Sequence, residues 1–113
     1  MPPLIPEVSP QDLAAALQNP TAHQFLDVRE PIEVDLVALP GFALRPLSQF
    51  SQWAEAIAVD FDPHRETWVL CHHGVRSYQM CAWLATQGFT QVKNVRGGID
   101  AYACEVDLRL PRY

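Results

Sequence analysis

Short apolar runs alternate along the chain with segments of helical periodicity, and this alternation constrains the fold more than any other feature. The apolar runs predict strands at 24–28, 42–44, 67–70 and 91–95. Strands separated by helices form a mainly parallel sheet, which needs helices on both faces because both faces are apolar. The sequence therefore predicts an α/β domain that binds ligands at the carboxyl ends of its strands.

The helical segments between these strands carry start and stop signals. Ser9 as N-cap, with Pro10 at the first helical position, predicts a helix that ends before Asn19-Pro20. Ser48 is a second candidate N-cap, and the apolar residues after it have helical spacing: Phe50, Trp53, Ala54 and Ile57. Further helical pieces are predicted within 30–41, at 77–87 and around 99–106.

Composition narrows the class of protein. With 113 residues and 49% apolar residues, the chain fits one globular domain. No apolar run reaches the roughly 20 residues of a membrane span, and the first residues lack the charge pattern of a signal peptide. A net charge of −5 argues against a nucleic-acid binder. We therefore expect a cytoplasmic protein with neither a nucleic acid nor a membrane as its partner.

The three cysteines, Cys71, Cys81 and Cys104, form a sparse, odd-numbered set without CxxC spacing. That pattern indicates neither a disulfide scaffold nor a zinc site. Cys81 lies within a predicted helix that is apolar all round, and Cys104 in the last helical segment. Both are predicted to fill space in the packing, whereas Cys71 directly follows the predicted strand 67–70 and precedes a helix.

The loop that begins at Cys71 carries the candidate chemistry, and it reads Cys71-His72-His73-Gly74-Val75-Arg76-Ser77. It contains no proline, so each residue after Cys71 offers a backbone N–H, and Gly74 permits conformations that other residues resist. Successive N–H groups that curve round one point form an anion-binding nest, which the positive end of a following helix strengthens. A sulfur in that nest is favoured as the thiolate, the nucleophilic form.

Side chains of the loop add to this prediction. Arg76 brings a fixed positive charge with donors suited to an oxyanion. His72 and His73 add charge or donors according to their protonation, and we expect them to line the entrance of the loop. Because adjacent side chains diverge and no second ligand pair is present, no metal site is predicted.

Two reactions fit such a loop. In one, Cys71 attacks a sulfane sulfur and becomes a persulfide that the N–H groups stabilise. In the other, Cys71 attacks a phosphate ester and becomes a phosphocysteine. Both reactions need an anion-binding loop, so the loop by itself leaves the choice open.

The pattern Cys-x-x-Gly-x-Arg-Ser, filled here by Cys71, Gly74, Arg76 and Ser77, resembles the active-site pattern of the rhodanese family. The similarity extends over roughly residues 5–104. Its other parts are Phe25–Arg29 with Glu33, Pro40-Gly41, Pro46-Leu47, Gly88-Phe89 and Val95–Ile99. The His72-His73-Gly74 version of the loop and the segment Pro111-Arg112-Tyr113 are similar to stand-alone cyanobacterial members.

The resemblance implies one domain over 1–113, with a five-stranded, mainly parallel sheet, and a sulfurtransferase activity. The family's sulfurtransferases have a loop as short as Cys71 to Arg76, whereas the related phosphatases have one residue more. Cys71 would be the catalytic residue and 72–77 the substrate-binding loop. The resemblance implies a small donor such as thiosulfate or a protein persulfide, a thiol, cyanide or protein acceptor, and no cofactor.

Some features leave alternatives open. Asp27 and Arg29 are either catalytic or a buried structural pair that supports the loop. Val37-Ala38-Leu39 stands where the family commonly has Gly-His-Ile, which puts the local geometry in doubt. Three rival functions remain: a phosphatase, an interaction module without catalysis, and a redox protein that pairs Cys71 with Cys81.

Overall fold

The computed structural model describes residues 4–113, which form one parallel sheet with helices on both faces. The strands are β1 (Glu7–Val8), β2 (Gln24–Asp27), β3 (Ala43–Leu44), β4 (Thr67–Leu70) and β5 (Val92–Val95). Their order is β1-β5-β4-β2-β3, and each neighbouring pair is parallel. The predicted fold class is confirmed, and β4, the strand that leads to Cys71, is the central one.

The helices are α1 (Pro10–Ala16), α2 (Pro31–Leu36), α3 (Phe50–Trp53), α4 (Ile57–Asp60), α5 (Val75–Thr86) and α6 (Gly98–Glu105). The start of α1 is as predicted, since the Ser9 hydroxyl accepts the Asp12 N–H at 3.0 Å and the Asp12 carboxylate accepts the Ser9 N–H at 3.0 Å. Across residues 4–113, no helix is long and apolar enough to cross a membrane.

Side chains of the strands alternate between two cores. Phe25, Trp68 and Leu70 pack on one face against side chains of α1 and α6, such as Leu13, Ile99 and Tyr102. Leu26, Val69 and Cys71 pack on the other face with Met80, Cys81 and Leu84 of α5. Cys71 therefore leaves the sheet on the face that α5 covers.

One strand was not found from sequence periodicity. Strand β1 is two residues long, and so short a segment shows no alternation that could be recognised. It exists because Glu7 and Val8 pair with Asn94 and Val95 of β5. The fifth strand was expected only from the family resemblance.

The prediction of one continuous helix that begins at Ser48 is wrong in both its start and its continuity. Residues 47–49 form a 3-10 turn, and a second 3-10 turn at 54–56 separates α3 from α4. The Ser48 hydroxyl does not cap a helix, because it donates to the Glu30 carboxylate, which also accepts the Ser48 N–H at 3.2 Å. The predicted apolar face is nevertheless buried through Trp53 and Ile57.

Candidate active site

Cys71 lies at the carboxyl end of β4 and is 1% exposed. Two donors reach its sulfur. The Gly74 N–H donates to Sγ at 3.0 Å, and the Ser77 hydroxyl lies 3.2 Å from Sγ in donor geometry. In the first turn of α5, the earliest intrahelical bond is from the Tyr78 N–H to the Gly74 carbonyl, so the N–H groups of residues 75–77 have no intrahelical partner. The loop thus curls around the sulfur and directs donors at it.

Asn94, which the sequence analysis missed, holds both donors in place. It is fully buried in β5, and its Nδ2 donates to the Gly74 carbonyl at 3.0 Å and to Glu7 Oε2 at 2.8 Å. Its Oδ1 accepts the Ser77 hydroxyl at 2.5 Å. The available signal was an amide in the middle of an otherwise apolar strand, because such a group needs buried partners.

The loop is held from its other side by the start of α6. The N–H groups of Ile99 and Asp100 donate to the carbonyls of Cys71 at 2.9 Å and His72 at 3.1 Å. Gly98 has φ +64°, and a Cβ there would overlap both of those carbonyl oxygens. Glycine is therefore required at this position, because the positive φ and the two close carbonyl oxygens both disfavour a side chain.

Arg76 forms a bidentate ion pair with a carboxylate of α2. Its Nη1 and Nη2 donate to Glu33 Oε1 and Oε2 at 2.7 and 2.9 Å. These bonds lower the pKa of Glu33 to about 2 and raise the pKa of Arg76. This geometry corresponds to a role in bracing the loop, whereas the sequence indicated donors for an oxyanion.

Asp27 and Arg29 form a buried pair at the end of the neighbouring strand β2. Arg29 Nε and Nη2 donate to Asp27 Oδ1 and Oδ2 at 3.0 and 2.8 Å, and Arg29 is fully buried. Its Nη1 donates at 3.0 Å to the hydroxyl of Tyr113, which in turn donates to Glu33 Oε2 at 2.8 Å. The Asp27–Arg29 pair therefore has the geometry of a buried structural support, and Tyr113 links it to Glu33, the carboxylate that binds Arg76.

The histidines do not diverge as expected. Their rings stack with centroids 3.8 Å apart, and Tyr113 stacks on the other side of His72 at 3.8 Å. Burial, followed by the charge of His73, lowers the pKa of His72, so this ring is neutral at pH 7. The stacking arises because Tyr113 and Asp100 enclose the pair, and neither contact is visible in local sequence.

Ligand atoms of His72, His73 and Asp100 lie within 4.8 Å of one another, which is close enough to consider a metal. Asp100, however, already binds Arg112 through both oxygens, at 2.9 and 3.2 Å. A guanidinium in that position opposes a cation. The absence of a metal stays a prediction from the sequence.

Residues 37–39, which depart from the family's Gly-His-Ile, are accommodated by packing, because Val37 and Leu39 are buried in the core that faces α1 and α6.

The other two cysteines lie outside the Cys71 loop. Cys81 is buried, and burial raises the pKa of its thiol to about 12, while Cys104 is exposed. A cavity of about 740 Å³ is lined by residues of 14–18, 38–40 and 102–110, without any residue of the Cys71 loop.

Comparison with known proteins decides the family. The family model described as "Rhodanese-like domain" matches residues 9–105. The chain belongs to the rhodanese-like domain family. The match includes the whole Cys71 loop and the α6 segment packed on it, and it confirms the resemblance noted in the sequence.

Rhodanese-like relatives differ in how much of their length this chain spans. A protein of Allochromatium vinosum named "Sulfurtransferase" is 31% identical over 100 residues, covering 88% of this chain and 90% of the relative. The chloroplastic rhodanese-like/PpiC domain-containing protein 12 of Arabidopsis thaliana is 41% identical over 112 residues. That match covers 96% of this chain but 38% of the plant protein. A rhodanese-related protein of Thermoplasma volcanium superposes with TM-score 0.75 at 25% identity, covering 89% and 93% of the two chains.

Proposed function

We propose that this protein transfers sulfane sulfur from thiosulfate or a persulfide donor to a thiophilic acceptor through a persulfide on Cys71. The observation that carries the proposal is the Gly74 N–H that donates to Sγ, together with the Ser77 hydroxyl within hydrogen-bond distance of the same sulfur. The free amides of residues 75–77 add further donors at the positive end of α5. The terminal sulfur of a persulfide carries negative charge, and the N–H donors of this loop would stabilise that charge.

The reaction proceeds in two half-reactions. The Cys71 thiolate attacks the outer sulfur of thiosulfate, so an Sγ–S bond forms while the S–S bond of thiosulfate breaks and sulfite leaves with the electron pair. An acceptor such as cyanide then attacks the outer sulfur, forms thiocyanate and restores the thiolate. Neither half-reaction requires a cofactor or a metal ion.

The rival functions fit the geometry less well. Phosphoryl transfer uses an arginine to bind phosphate oxygens, and each terminal nitrogen of Arg76 already donates one hydrogen to Glu33. A redox pair would use Cys81 as the second thiolate, yet its pKa of about 12 keeps it protonated at pH 7. An interaction module would not need donors directed at a buried cysteine. The sulfurtransferase relative from Allochromatium vinosum supports the same choice.

The test is thiocyanate formation from thiosulfate and cyanide by the full chain. We expect turnover in the wild type and its loss in Cys71→Ser. Cys104→Ser is the matched control, because it removes an exposed cysteine outside the loop and should leave turnover unchanged. Equal turnover of wild type and Cys71→Ser would overturn the proposal.

A further inference from the structure

Two carboxylates lie beside the Cys71 loop. Glu33 binds Arg76 of the loop, and Asp100 follows the backbone contacts of α6 with the loop. We call the surface formed by Glu33, His72, His73, Arg76 and Asp100 the rim. An uncompensated carboxylate in the rim would repel a thiosulfate dianion. Segment 106–113, which follows α6, provides a partner for each of the two carboxylates.

Tyr113 covers Glu33. Its ring lies on His72 with an angle of 8° between the planes. Its hydroxyl donates to Glu33 Oε2 at 2.8 Å and accepts the Arg29 Nη1 hydrogen at 3.0 Å. Since Arg76 binds both Glu33 oxygens as well, the phenol adds a further donor to a carboxylate that is only 14% exposed.

Arg112 neutralises Asp100. Its Nε and Nη2 donate to the two carboxylate oxygens at 2.9 and 3.2 Å. The nearest other basic group is His73, whose Nε2 lies 3.9 Å from Asp100 Oδ2 and carries charge only when protonated. Without Arg112, Asp100 would lose the guanidinium that pairs with both of its carboxylate oxygens.

We propose that Arg112 and Tyr113 are specificity-determining residues that make the rim permissive for anionic sulfur donors. Three carboxylates around the loop are each paired with one guanidinium: Asp27–Arg29, Glu33–Arg76 and Asp100–Arg112. Loss of the Arg112 guanidinium makes the rim one charge more negative, whereas loss of the Tyr113 hydroxyl removes a hydrogen-bond donor from Glu33. The inference rests on the proposed sulfur transfer, since it specifies the charge of the donor that the Cys71 site accepts.

The experiment compares alkylation of Cys71 by iodoacetate, an anion, and iodoacetamide, its neutral counterpart. Trypsin places Cys71 and Cys104 on different peptides, so mass spectrometry follows the rate at Cys71 alone. The variants are Arg112→Gln and Tyr113→Phe, and the latter keeps the ring that stacks on His72. Arg109→Gln is the matched control, because Arg109 is an exposed arginine of the same segment that pairs with Asp107.

We expect the ratio of the iodoacetate rate to the iodoacetamide rate to fall roughly two- to fivefold in Arg112→Gln at low ionic strength, and to fall less in Tyr113→Phe, which removes a donor to Glu33 but no charge. The fall should shrink at high salt and be absent in Arg109→Gln. An unchanged ratio in Arg112→Gln, or an equal fall in Arg109→Gln, would overturn the inference. The readout needs no sulfur transfer, so a wild type that forms no persulfide while the ratio falls refutes only the proposed function.

Discussion

At the scale of single residues, the proton of the Ser77 hydroxyl has two acceptors within reach, Asn94 Oδ1 at 2.5 Å and Cys71 Sγ at 3.2 Å. The Asn94 amide is oriented by the Gly74 carbonyl and Glu7, so its oxygen faces Ser77. One proton serves one acceptor at a time. While Cys71 is a thiol, its S–H can donate to Ser77 and the hydroxyl to Asn94. Once the sulfur is anionic, the hydroxyl can turn to it.

Ser77→Ala should slow formation of the Cys71 persulfide roughly tenfold or more, because a hydrogen bond to a charged group contributes about 1.5–3 kcal/mol. Single-turnover mixing with thiosulfate measures this rate directly. Ser77→Thr retains the hydroxyl and should restore most of the rate. If folded Ser77→Ala reacts as fast as the wild type, the hydroxyl has no part in stabilising the sulfur anion.

At the scale of elements, the site depends on the fit between the Cys71 loop and the start of α6. Gly98 and Gly88 both have positive φ, +64° and +92°, but only Gly98 faces backbone atoms. A Cβ at Gly88 meets nothing within 4 Å. The two positions therefore separate the effect of backbone conformation from that of steric overlap.

Gly88→Ala should destabilise the protein by about 1 kcal/mol, the cost of a left-handed residue other than glycine. Gly98→Ala should lose more than about 3 kcal/mol, since overlap with two carbonyl oxygens adds to that cost. Denaturant unfolding of both variants provides the comparison. Equal losses would mean that α6 can move away from the loop without penalty.

The sequence predicted the elements that deliver Cys71 because β4 is a short apolar run, α5 is a long apolar segment that ends at a glycine, and the loop between them has a recognisable pattern. Asn94, Asp100 and Tyr113 could not be assigned to the site in this way. They reach it through pairing of distant strands, docking of α6, and the return of segment 106–113. None of these contacts has a periodic signal, and a buried amide in β5 was the only local indication.

At the scale of the whole molecule, the Glu33–Arg76 ion pair links α2 to α5 and makes the free energy of unfolding depend on pH. The pKa of Glu33 is lowered from 4.5 to about 2, first by its bonds to Arg76. A lowered carboxyl pKa contributes stability that is present above the ordinary value and is lost as the pH falls through the folded value. The contribution is therefore complete above about pH 5 and disappears towards pH 2.

Glu33→Gln should lower the free energy of unfolding at pH 7 by on the order of 2 kcal/mol. The difference from the wild type should shrink as the pH falls from 4.5 to 2, measured by urea unfolding at each pH. Glu55→Gln, at an exposed carboxylate of the 3-10 turn 54–56, is the control and should show neither effect. A constant difference at every pH would assign the loss to packing and not to charge.

The most direct measurement of the central claim locates the transferred sulfur. The full chain is treated with thiosulfate, its thiols and persulfides are capped with iodoacetamide, and the tryptic peptides are weighed without reduction. We predict one additional sulfur on the peptide 66–76, which contains Cys71, and none on the peptides that contain Cys81 and Cys104. An additional sulfur on the Cys104 peptide alone, or on none of the three, would contradict sulfur transfer through the Cys71 loop.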